Sequence, residues 1–79
     1  MVVITENRNN IIINVDSFNL HYGANRAIYA MCCGTKYLAY SGINPPDVFR
    51  KLLNDIQNNK IKQDSVIKFH EKGYDICDY

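Results

Sequence analysis

The stretch Ala27-Ile28-Tyr29-Ala30-Met31-Cys32-Cys33-Gly34-Thr35-Lys36-Tyr37-Leu38-Ala39-Tyr40-Ser41, continued after a short link by Asn44-Pro45-Pro46-Asp47-Val48-Phe49-Arg50-Lys51-Leu52-Leu53-Asn54-Asp55-Ile56-Gln57-Asn58-Asn59, decides the fold. Its second half reads as a helix over about 45–59. Pro45 and Pro46 suit a first turn, where the missing N–H costs nothing and φ is already near the helical value. Asn44 stands where an N-cap belongs, and Asp47 places a negative charge at the positive end of the dipole. Val48, Phe49, Leu52, Leu53 and Ile56 recur at helical spacing as one apolar stripe. Asp47, Arg50, Lys51, Asn54, Asp55 and Gln57 fall mostly on the other side. Asn58-Asn59 ends the run, because Asn tolerates the left-handed conformation. A helix this short is marginal alone in water, so its stripe must cover something apolar.

The first half supplies that partner. Two apolar, aromatic-rich runs, 27–33 and 37–41, flank Gly34-Thr35-Lys36 and read as a β-hairpin. The competing reading is a short helix from Asn25 to Cys33 ended by Gly34. Ala and Met favour it; Ile28, Tyr29 and the Cys pair do not.

Working outward, Val2–Thr5 and Ile11–Val15 read as a first hairpin joined by an Asn-rich turn at 6–10. The near-continuous apolarity of Ile11–Val15 predicts a central strand or one whose second face meets a partner. Residues 18–22 alternate in strand fashion, and Gly23-Ala24-Asn25-Arg26 turns the chain. Beyond the helix, Ser65–His70 reads as a strand with Ile67 and Phe69 on one face and Lys68 and His70 on the other. Glu71-Lys72-Gly73 turns, and Tyr74–Tyr79 is a last strand or a tail, with Tyr74 and Ile76 inward. The sum is one α+β domain over residues 1–79: a small antiparallel β-sheet with one amphipathic helix packed on one face. The other face is expected to stay uncovered.

With 79 residues the chain is a single small domain. Homodimerisation or a tight complex would add stability. The three Cys are odd in number, which gives no disulfide framework and predicts a reducing, cytoplasmic setting inside a host cell. Met1-Val2-Val3-Ile4 shows no charged leader and no long apolar run, so neither a signal peptide nor a membrane span is expected. A net charge of +1 excludes a strongly acidic nucleic-acid mimic and an overtly basic nucleic-acid binder. Residues 1–43 carry only Glu6, Arg8, Asp16, Arg26 and Lys36; the rest is dense in both signs.

Candidate chemistry is thin. Cys32, Cys33, His70 and Cys77 are zinc-ligand types, but adjacent strand residues point to opposite faces and lack the C-x-x-C spacing that structural zinc prefers. No cofactor or metal is expected. Cys32 or Cys33 with His21 or His70 is formally a thiol–imidazole pair, yet neither Cys stands at a helix N-terminus. Gly-rich phosphate loops, nucleophile elbows and metalloprotease motifs are absent. The expectation is therefore a protein that is not an enzyme. Six Tyr with no Trp, set among Asn, Ser and Gly, form a vocabulary common at binding surfaces. Arg26, Tyr29, Lys36, Tyr37 and Tyr40 are the candidate docking residues. Arg50, Lys51, Lys60, Lys62, Lys68 and Lys72 are the alternative, a nucleic-acid surface around the Lys-rich C-terminal hairpin. In size and layout the chain resembles the small single-domain inhibitors that phages and mobile elements encode against host defences, including some anti-CRISPR proteins. That likeness implies a binding protein that blocks a site on a larger protein or ribonucleoprotein.

Overall fold

The computed structural model describes residues 1–5, 10–12, 15–16, 19–23 and 25–77. Over these the chain runs β1 (Val2–Thr5), β2 (Asn10–Ile12), β3 (Leu20–Gly23), β4 (Ala27–Cys32), β5 (Thr35–Tyr40), α1 (Pro45–Gln57), β6 (Val66–His70) and β7 (Gly73–Cys77). Of the expected turn at 6–10, residues 6–9 lie outside the described residues, as do 13–14, 17–18, 24 and the last two, while Asn10 opens β2. The class is α+β with one helix.

Pro45 and Pro46 occupy the first two helical positions, as their chemistry requires. Asn44 caps differently from expectation. It sits left-handed at φ 48° with no side-chain cap bond, and its carbonyl accepts the N–H groups of Asp47 and Val48 at 3.1 Å each. At the other end Asn58 N–H reaches the Asn54 carbonyl at 2.9 Å, and Asn59 turns left-handed at φ 60°. The chain then folds back, and the Asp55 carbonyl accepts both Lys60 N–H and Ile61 N–H.

The strands make two sheets, where periodicity predicted one. β2-β1-β6-β7 is the first and β3-β4-β5 the second. β1 and β6 run parallel, from Val2 beside Val66 to Thr5 beside Phe69; every other pair is antiparallel. Strand 2, expected to be central or to meet a partner with its second face, stands at the edge of its sheet among the described strands. Apolarity cannot separate a central strand from an edge strand. The hairpin reading of 27–41 holds, with β4 against β5.

The core lies where the inner faces of the two sheets meet. Val3, Ile67, Phe69 and Tyr74 come from the first sheet, Leu20, Ile28, Ala30 and Tyr40 from the second, and Leu52 from α1. Tyr40 stacks obliquely on Phe69 at 5.9 Å, and Phe69 meets Tyr74 edge-on at 5.7 Å, so one aromatic row links the sheets. Helix α1 touches both β4 and β7, bridging the sheets rather than lying on one. Leu52 is fully buried there, worth about 1.5–3 kcal/mol. Val48, Phe49 and Ile56 pack beside it.

Two loops are locked together behind this core. The Tyr40 hydroxyl donates to the Ile43 carbonyl at 2.5 Å and lies 3.1 Å from the Glu71 carbonyl, which also accepts Ile43 N–H. Gly42 permits the approach, because a Cβ there would stand 2.2 Å from the Glu71 oxygen.

Candidate functional site

Register assigns the side chains of the three-stranded sheet to two faces. Leu20 pairs with Ala30, Tyr22 with Ile28, and β5 brings Tyr37 to Ala30 and Tyr40 to Ile28. These residues point toward the core and α1, where Tyr22 meets Phe49 at 5.9 Å. His21 pairs with Tyr29, Tyr29 with Leu38, and Met31 with Lys36. Strand alternation puts this second set on the outer face.

The outer face has an apolar centre. Tyr29, Met31 and Leu38 are half-buried, yet they are absent from the residues that pack on the core. Gly23 lets the edge of the Tyr29 ring come close, since a Cβ there would stand 2.4 Å from a ring carbon, and Lys36 Nζ sits over the ring, 4.1 Å from its centroid. This is a cation–π contact. His21 and Lys36 are exposed, and Arg26 stands exposed at the β3–β4 turn with φ 54°. The whole segment from 17 to 46 contains no Asp or Glu.

Of the five docking candidates, Tyr29 and Lys36 are thus brought together and Arg26 lies at one end of their face. Tyr40 is a core residue, 0 % exposed, and Tyr37 packs half-buried against the core. The cause is a bulge. The register shifts between Ile28 and Tyr29, leaving Ala39 as an extra residue, so Tyr37 and Tyr40 both turn inward although strict alternation would separate them. Met31, Leu38 and His21 were missed. Their signal was the register to Tyr29, which spacing within one strand does not contain.

The alternative cations are spread over several elements. Arg50 pairs with Asp47 at 3.0 Å. Lys51 pairs with Asp55 at 3.2 Å and covers the ring of Tyr74, which faces the core. Lys68 lies on the opposite side of the same sheet, beside the His70–Asp75 pair at 3.5 Å. Lys60 and Lys62 follow the helix, and Lys72 lies in the β6–β7 turn.

Asp55 was expected on the polar side of α1; it is instead 5 % exposed and accepts the Tyr74 hydroxyl at 2.5 Å. That hydrogen bond, followed by Lys51, holds its carboxyl below the usual carboxylate range. Burial, and then the Asp55 charge, push the Tyr74 phenol far up.

Cys33 is not in the strand. With Gly34 it forms the two-residue hairpin turn, both at positive φ, and its sulfur lies 3.8 Å from that of Cys32. The hydrogen bond to Cys33 raises the Cys32 thiol above its ordinary value, the opposite of an activated nucleophile. Among the described residues no three His, Cys, Asp or Glu gather as a metal site, and no helix is long and apolar enough to cross a membrane. A hollow of about 290 Å³ is lined, among the described residues, by Met1, Val15, Asp16 and Gln63, which bring one carboxylate and no nucleophile. No protein-family model, curated protein or solved structure matches the chain.

Proposed function

We propose that the chain is a small non-enzymatic binding protein that acts by occupying a site on a larger protein or ribonucleoprotein. The narrower form of the proposal is an inhibitor of the kind phages and mobile elements direct against host defences, working in the host cytoplasm. One observation carries the binding reading: Tyr29, Met31 and Leu38 form an apolar centre on a sheet face turned away from the core. A rigid aromatic among adaptable apolar neighbours, ringed by polar groups, has the anatomy of an interface centre. Arg50 and Lys51, each paired with a carboxylate, give less support to a nucleic-acid module.

The test is purification of the tagged chain from its native cell, followed by reconstitution from purified parts. A defined complex that survives gel filtration, and that Tyr29→Ala weakens, is the expected result. A chain that runs alone at every step defeats the proposal.

A further inference from the structure

We infer that the outer face of β3-β4-β5 docks an acidic protein surface, with Tyr29 as the anchor and Lys36 and Arg26 as the charged rim. This rests on the binding role proposed above and names the chemistry of the partner. The argument is charge complementarity around a preformed apolar centre. All eight carboxylates of the chain lie outside residues 17–46, whereas Arg26 and Lys36 lie within. The described face therefore presents positive charge that no carboxylate of its own segment offsets. A partner that brings Asp or Glu to Lys36 and Arg26, and an apolar side chain to Met31 and Leu38, satisfies both components.

Two other occupants fit less well. A nucleic-acid base needs an open aromatic face on which to stack. On Tyr29 the Lys36 ammonium already covers one face, and a base stacking there must displace it. Two cations would also neutralise few phosphates. A second copy docking through the same face would form an isologous contact. It would then set Lys36 and Arg26 against the like charges of their own twins.

The experiment selects binders from a displayed library of short random peptides, using the whole chain as bait. Selected peptides are then titrated against wild type, Tyr29→Ala, Lys36→Met, Lys36→Glu and Arg26→Glu. Oligothymidylate is titrated in parallel, and the oligomeric state is followed by sedimentation. Circular dichroism identifies variants that retain the fold. The expected result is enrichment of Asp and Glu beside Leu or Phe, with affinity falling about tenfold or more on Lys36→Glu. Lys36→Met should lose less, and a Lys-for-Glu peptide should recover binding to Lys36→Glu. Peptides without acidic bias, or indifferent to both charge reversals, overturn the inference. So does oligothymidylate binding abolished by Tyr29→Ala, or a dimer abolished by the same change. If a native partner is retained equally by wild type and Lys36→Glu, this inference fails while the binding role stands. If no native partner exists, the role itself fails.

Discussion

Tyr74 and Asp55 show what a single pair of residues holds in place. Asp55 is a buried carboxylate whose partners are one phenol and one ammonium. Tyr74→Phe removes the phenol and leaves Asp55 with Lys51 alone. The expected loss is about 1–3 kcal/mol, read as a lower urea midpoint at neutral pH, because a buried acceptor loses its donor. An unchanged midpoint would show that water replaces the hydroxyl freely. The pair also sets the pH window from both sides. The Asp55 carboxyl is depressed in the folded chain, so its contribution is complete above the ordinary carboxylate value near ~3.9 and disappears as pH falls through the folded value. The Tyr74 phenol is raised, so its contribution is complete below about pH 10 and is lost as the unfolded chain ionises above that. Stability titrations of wild type against Tyr74→Phe should therefore diverge least at the two extremes. Helical spacing could not identify this pair. Relative to Leu52, Asp55 lies about 60° round the helix and Leu53 about 100° the other way. Both are marginal positions, and Tyr74 decides between them: Asp55 is buried and Leu53 is 47 % exposed. Gly42 makes a second residue-scale case. Gly42→Ala would drive a methyl into the Glu71 carbonyl and separate the β5–α1 loop from the β6–β7 turn. A loss of about 1–3 kcal/mol is expected, since overpacking against backbone cannot relax cheaply.

At the scale of elements, the strands, the helix and their order were legible, because each follows from local spacing. The Pro-Pro start of α1, its Asn end and the 27–41 hairpin are all local signals. What spacing did not contain was how the elements pair. The β4–β5 bulge turns Tyr37 and Tyr40 into the core and leaves Tyr29, Met31 and Leu38 outside. Two of the five expected docking residues were thereby exchanged for neighbours that became visible only once the register was known. The tip of the same hairpin holds a misfit. Both turn residues take positive φ, at 52° for Cys33 and 78° for Gly34. Asn-Gly is the preferred pair for such a turn, and a Cys side chain is strained there. Cys33→Asn should therefore raise stability by about 0.5–1 kcal/mol, measured as a higher urea midpoint with unchanged slope. A decrease would mean that the sulfur contact with Cys32 contributes more than the turn conformation costs.

For the whole molecule, the governing fact is that two sheets share one core. The aromatic row Tyr40–Phe69–Tyr74 crosses from one sheet to the other, α1 touches both, and β5 approaches β1 and β6. The parallel β1–β6 pairing joins the first strand to the sixth, a long-range contact whose loop-closure cost is offset only by contacts made across the whole fold. The sheets should therefore open together. Ile28 is fully buried on the inner face of the three-stranded sheet and is absent from the four-stranded one. Ile28→Ala should cost about 2–4 kcal/mol by leaving a cavity. That cost should be read equally at amides in both sheets. Native-state hydrogen exchange at Ile67 in β6 is the test, because Ile67 lies in the other sheet. A fall in its protection matching that at Ala30 in β4 shows one cooperative unit. If Ile67 kept its protection while Ala30 lost it, the three-stranded sheet would open as a separate unit. The outer face that carries Tyr29 and Lys36 would then rest on a mobile support, and a rigid docking surface could not be built on it.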